Sequence, residues 1–343
     1  MPTPIAKVAR GWEYGAAEAA ALALEGLLAR HGITIAPGSA FEAHVLSVLR
    51  LVAAKRSGGA KVLDDDVRDQ YRTLIGVYEL AVLVLAVENA PGFASLVPHL
   101  RLLNHGEALQ NTPSGGSDQA TNKLFELYMG AVALQCGDNV ALDDPGHSMG
   151  TNPDVLFTAG SRRWGIACKV LHGKHPEGFV EHLTKGLDQI DASEAEVGVV
   201  AFNLKNVLLH GKVWPLAPLN GVPGASLVTG YWVSPEAPFR ILLSQMEQLG
   251  GELASYLPSG HLDTLFAGRK SIPAFLLWGA SPSGVIINGK PSATSVRAMI
   301  VKNVGTLAQE DMEVLKCLSS AIYTDSAGRG ARPQLSGCGL TSA

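Results

Sequence analysis

The stretch PDVLFTAGSRRWGIACKV, Pro153 to Val170, decides the fold. Residues 153–158 and 163–171 read as two strands around Gly160-Ser161, a two-residue turn with glycine at its first central position. With that turn Ala159 opposes Arg162, and the numbers of paired residues sum to 321. Asp154 then lies opposite Ala167. Lys169 is two residues further and projects from the same face as Ala167, because strand side chains alternate with period two. The spacing brings a carboxylate and an ammonium to one patch of one sheet face.

The neighbouring segments extend this hairpin into a sheet. Before it, a helix beginning at Asp118 contains TNKLFELYMG, and 140–142 is a short strand. After it, 177–192 is helical, with Gln189 in KGLDQID, and the continuous apolar run 198–202 suits a strand buried on both faces. Strand, crossover helix and strand imply a parallel, right-handed connection, so the central sheet is mixed and the fold class is α/β. Glu126 shares a helix face with Met129, Gly130 and Ala133. A carboxylate among small and apolar neighbours needs a compensating partner, and a metal ion would serve.

The first 115 residues read as a helical domain. A helix over 12–30 ends near His31-Gly32, and Ser39 caps a second over 40–55. Asp64, Asp65 and Asp66 place negative charge at the start of a third, which runs to about residue 88. A short helix over 93–103 leads to the polar loop 110–116, the domain boundary. Residues 116–215 form the core, 216–326 an α/β extension and 327–343 a Gly/Ser-rich tail expected to be mobile. In the extension, 239–256 reads as a helix, 274–278, 285–287 and 296–301 as strands, and 310–323 as a final amphipathic helix. Asn288-Gly289 is a tight-turn signal.

Composition narrows the class. The 343 residues are 47% apolar with a net charge of only −4, so any nucleic-acid binding must use a local patch. The four cysteines form no CxxC pair, and Cys136 and Cys168 sit in apolar contexts, which suits a reducing cytoplasm. The first thirty residues carry Glu13, Glu18 and Glu25 and no targeting signal. The most apolar run, 80–87, is far short of the roughly 20 residues that span a bilayer, so no membrane role is expected.

Carboxylates beside a lysine suit a definite chemistry. A carboxylate holding Mg²⁺ neutralises a phosphodiester and lowers the pKa of a bound water. A neighbouring lysine orients or deprotonates that water, or stabilises charge on the phosphorus oxygens. A helix with Glu126, a strand opening with Pro153-Asp154, a strand ending in Lys169 and a helix bearing Gln189 resemble, in that order, the PD-(D/E)xK nuclease superfamily. The resemblance covers roughly a quarter of the chain. It implies a restriction-endonuclease-like core in which Asp154 and Glu126 bind Mg²⁺ or Mn²⁺, Lys169 is catalytic, and Gln189 supports the site or contacts substrate. It further implies phosphodiester hydrolysis of nucleic acid, DNA before RNA, by a bacterial defence or mobile-element effector, with a homodimer or a defence complex as partner. The departure is Ala167, where the superfamily usually has Asp or Glu two residues before the lysine. That gap leaves a second reading: a non-cleaving relative that binds nucleic acid or assembles with partners.

Other groupings are weaker. Arg162, Arg163, Lys169, Lys174 and Lys185, with His172, His175 and His182, form a locally basic segment that fits a phosphate-facing rim and an ordinary solvated loop equally well. His172 and His175 lack a third zinc ligand at structural spacing, Asp143-Asp144 with His147 reads as a turn cluster, and Cys168 alternates to the face opposite Lys169. Trp214 and Trp278 read as core anchors.

Overall fold

Gly160 adopts a left-handed φ of 61° and Ser161 does not, the pattern of a type II′ turn. It joins β2 (Val155–Ala159) to β3 (Arg162–Val170), with Ala159 opposite Arg162 and Val155 opposite Ile166. The register is the one the sequence predicts, and Asp154 stands one step beyond the start of β2. The computed structural model describes residues 14–57, 67–114, 119–147, 150–218, 227–256 and 260–322. Trp12, the Asp64–Asp66 run, Gly115-Gly116, Asp118, Cys338 and the 327–343 tail lie outside the described residues.

The helical segment comprises α1 (Tyr14–Arg30), α2 (Ala40–Arg56) and α3 (Arg68–Leu85). Ser39 caps α2 by accepting the Glu42 N–H at 3.1 Å. The helix expected over 93–103 is instead three short pieces: a 3₁₀ turn (Phe93–Leu96), α4 (Val97–Arg101) and a second 3₁₀ turn (Leu102–Asn104). Pro98 at the start of α4 accounts for the first break, since proline has no N–H and fits only the opening turn of a helix.

From there the chain builds one sheet. Helix α5 (Gln119–Cys136) precedes β1 (Asp138–Leu142), and α6 (Pro176–Ala192) connects β3 to β4 (Val197–Asn203). Then follow α7 (His210–Val213), a small pair β5 (Leu216–Pro218) and β6 (Leu227–Thr229), α8 (Glu236–Tyr256) and α9 (His261–Phe266). The chain continues through β7 (Ser271–Ile287), β8 (Lys290–Asn303) and α10 (Gln309–Ala321). The six-stranded sheet has the order β1-β2-β3-β4-β7-β8. β3, β4 and β7 are parallel and the remaining pairs antiparallel, so the fold is α/β with a mixed sheet.

The strands expected over 274–278 and 285–287 are a single strand, β7. The Ser281-Pro282-Ser283-Gly284 stretch looks like a turn in sequence but pairs with β8 throughout. Pairing of β7 with β4 ends at Trp278, so Pro282 lies where one side of the strand has no ladder partner in the sheet, a place that tolerates proline. Asn288 and Gly289 both have positive φ, 51° and 75°, giving the type I′ turn that the dipeptide predicts.

Alternation along the strands divides the core. Trp164, Ile166 and Cys168 join a cluster with α1, α3, α5 and α10 on one face, while Ala167, Val200 and Phe202 pack with α6 and α8 on the other. Residues of the helical segment and the sheet share the first cluster, which contains Leu24, Leu80, Phe125, Trp164 and Leu276. Full burial of each large apolar side chain contributes about 1.5–3 kcal/mol. Trp214 and Trp278 are buried, as core anchors should be.

Candidate active site

The site forms at the carboxyl ends of β3 and β4, where α5 crosses the start of β2. Helix α5 is buried on nearly every side, and Glu126 is only 5% exposed. Its carboxylate is compensated from within the protein. Lys123, one turn earlier on α5, brings Nζ to 3.0 Å from Glu126 Oε1 and 3.8 Å from Asp154 Oδ1. His99 of α4 places Nε2 3.0 Å from Glu126 Oε2.

Asp154 reaches the same point from the sheet. Its Oδ2 accepts the Cys168 N–H at 2.6 Å, which fixes the carboxylate against β3. Lys169 Nζ lies 3.9 Å from that Oδ2 and donates to Gln189 Oε1 of α6 at 2.5 Å. The Lys123 ammonium thus bridges the carboxylates of Glu126 and Asp154. All four residues singled out from the sequence, Glu126, Asp154, Lys169 and Gln189, therefore converge.

The electrostatics follow from burial. Glu126 is raised well above the ordinary carboxylate range, first by desolvation and then by the charge of Asp154. Burial alone would lower the Lys123 pKa, but Glu126 and Asp154 more than reverse it, so the net shift is upward and the ammonium persists. His99 falls to about 4, chiefly through burial and next through Lys123. A neutral imidazole donates through one nitrogen; with Nε2–H directed at Glu126, the buried Nδ1 is left without a partner.

Ala167 has a structural cause. It is fully buried beneath Gly186 of α6, where an added Cβ would stand 3.3 Å from the Ala167 Cβ and 2.8 Å from Val200 Cγ2. Helix and sheet approach so closely here that a carboxylate at 167 would enter the apolar cluster of Leu183, Leu187 and Val200. Lys169, nearer the strand end, escapes that contact and is 13% exposed.

Neither a protein-family model, nor a curated protein, nor a solved structure matches this chain. Among the described residues no group of three or more His, Cys, Asp and Glu side chains is arranged to hold a metal ion. Among the described residues no helix is long and apolar enough to cross a membrane.

The basic segment divides. Arg162 pairs with Asp311 at 2.5 Å, and Arg163 donates to the Asn139 carbonyl at 2.6 Å and to Glu194 at 3.3 Å, all at the hairpin-turn end of β3. Lys185 is engaged by Glu181 at 2.6 Å. His172 contacts Asn122 and Asn206, and Asp144 holds Gly146 N–H and His147 in a turn. Two participants escaped the sequence reading. The Lys123/Glu126 spacing of three on one helix was a legible signal. His99 gave none, because α4 meets α5 only in the folded chain.

Proposed function

We propose that the chain hydrolyses phosphodiester bonds of DNA with a divalent metal, Mg²⁺ or Mn²⁺, in the manner of the nucleases its sequence resembles. One observation carries this reading: Asp154 and Glu126, brought from a strand and a helix, meet in a buried site with the Lys169 ammonium beside them. The donor set suits a hard cation, because it offers carboxylate oxygens and because burial disfavours the charge on Glu126, which a cation would offset. Asp154 and Glu126 would hold the metal. When bound, it would neutralise the phosphate and acidify a water. Asp154 is preset for this by the Cys168 N–H, and Lys169 is directed by Gln189, so neither group needs reorganising. Lys169 is placed to orient the attacking water or to stabilise charge on the phosphate oxygens.

A second reading, a nucleic-acid-binding or assembly protein without cleavage, is favoured by Lys123. Its ammonium already lies against both carboxylates and balances them without a metal. The experiment is cleavage of single-stranded and duplex DNA with Mg²⁺ or Mn²⁺, alongside melting temperature with and without metal. Asp154→Asn is the informative variant, since it keeps an oxygen to accept the Cys168 N–H; Lys169→Ala is the second. Metal-dependent cutting that both variants lose, together with metal-induced stabilisation that Asp154→Asn loses, is the expected result. Neither cutting nor stabilisation in the wild type moves the assignment to the second reading.

A further inference from the structure

An open groove of about 490 Å³ is lined by Arg72, Pro113, Leu208, Leu209, His210, Gly211 and Lys212. None of these lining residues is acidic. His210 does not supply its charge: its Nδ1 meets Ser281 Oγ at 3.0 Å, its Nε2 meets the Lys205 carbonyl at 2.8 Å, and burial lowers its pKa. The cations are Arg72 and Lys212. Arg72 bonds Asp69 through Nη1 at 2.7 Å and leaves a buried Nε without a partner. Lys212 is exposed and forms no ion pair among the described residues. Leu209, in the same lining, is 44% exposed, one of few large apolar side chains so exposed among the described residues.

A polar row runs from this groove to α5. Ser114, beside Pro113, donates its N–H at 2.8 Å and its hydroxyl at 3.0 Å to Asn206 Oδ1. With its oxygen so occupied, Asn206 donates through Nδ2 to His172 Nδ1 at 3.1 Å. His172 therefore carries its proton on Nε2 and donates to Asn122 Oδ1 at 3.3 Å. Asn122 adjoins Lys123 on α5. Hydrogen bonds thus run from Ser114, beside the groove, to Asn122, the neighbour of Lys123 in sequence.

We propose that this groove seats a single-stranded DNA segment adjoining the phosphodiester at the Asp154–Glu126 site, an inference that rests on the nuclease reading for the nature of the ligand. Phosphate oxygens face Arg72 and Lys212, and Leu209 packs against a sugar or base that a duplex would keep stacked inside. The volume is that of a small-ligand pocket and suits a short length of one strand. Arg72 shares its charge with Asp69, so Lys212 is the uncompensated cation of a groove lined by no acid, in a protein of net charge −4.

The test is fluorescence anisotropy of a labelled single-stranded oligonucleotide in EDTA, so that neither metal nor cleavage enters, repeated over a range of salt. Lys212→Glu and Arg72→Gln are compared with Lys316→Glu on α10, which packs near Arg162 at the opposite end of β3. Lys212 is exposed, so its substitution spares the fold. Lys212→Glu should weaken binding on the order of tenfold and reduce the slope of log affinity against log salt by about 0.7, while Lys316→Glu leaves both unchanged. Wild-type affinity in Lys212→Glu and Arg72→Gln, stronger competition by duplex than by single strand, or no binding by the wild type would each overturn the proposal. The nuclease reading stands or falls separately on metal-dependent cutting. Cleavage with unaltered binding by the groove variants removes the groove alone, and charge-dependent binding without cleavage removes the nuclease alone.

Discussion

Restoring the missing acid, Ala167→Asp, separates a lost metal ligand from a packing requirement. The side chain would add three heavy atoms where Gly186 already closes over Ala167 and where even a Cβ on the helix would meet Val200 Cγ2 at 2.8 Å. Overpacking a close contact costs about 1–3 kcal/mol, and burying a polar group among apolar neighbours costs about 1–3 kcal/mol more. Together these amount to about 2–6 kcal/mol, a large share of a stability that for folded proteins is about 5–15 kcal/mol. Lys169 could turn from Gln189 towards the new carboxylate, which would offset part of the cost but also dismantle its present orientation. The expected outcome is a melting temperature lower by roughly 3–8 °C, with no gain in Mn²⁺ affinity. The assay is thermal and urea unfolding of both proteins, followed by calorimetric titration with Mn²⁺. An Ala167→Asp protein that melts within about 2 °C of wild type and binds Mn²⁺ more tightly would refute the reasoning. Position 167 would then line the metal seat rather than the helix–sheet contact.

Three further outcomes follow from the same contacts. Gly186→Ala should destabilise by about 1–3 kcal/mol, read by urea unfolding, because its methyl must displace Val200; an unchanged midpoint would mean that α6 sits further from the sheet. Asp154→Ala should cost about 1–3 kcal/mol that Asp154→Asn does not, since only the alanine orphans the buried Cys168 N–H; equal stabilities of the two variants would contradict that bond. The pH dependence centres on Glu126, whose folded-state pKa is raised, so its contribution to stability is present at low pH and lost as pH rises towards the raised value. His99, lowered to about 4 from 6.5, acts in the opposite sense, losing stability as pH falls from 6.5 towards 4. Above the ordinary carboxylate range Glu126 makes stability fall as pH rises, with a slope of at most about 1.4 kcal/mol per pH unit, and Glu126→Gln should flatten it. A Glu126→Gln protein that loses stability with rising pH as steeply as wild type would place the titration elsewhere.

Much of the site was legible because it depends on local geometry. A glycine at the first central position of a two-residue turn fixes a type II′ hairpin, and the pairing of Asp154 with the region of Ala167 and Lys169 follows from counting. The apolar run of β4 after a helix implied its parallel pairing with β3, which the register of Ile166 with Val199 bears out. The division of 274–287 into two strands misled because the Pro-Ser-Gly sequence mimics a turn. Only the early end of β4 relative to β7 reveals that Pro282 occupies a sparsely paired stretch.

The sequence by itself determined the turns, the strand register, the α/β order and the candidacy of Glu126, Asp154, Lys169 and Gln189, since these depend on backbone dihedrals and on periods of two and 3.6 residues. The tertiary structure decided what surrounds those groups. Lys123 and His99 as partners of Glu126, the burial of Ala167 under Gly186, the diversion of Arg162 and Arg163 to distant carboxylates, and the groove between Arg72 and Lys212 all join segments far apart in the chain. Such contacts depend on how closely whole helix and sheet faces approach, and the volume left between those faces is set by the packing of the entire core.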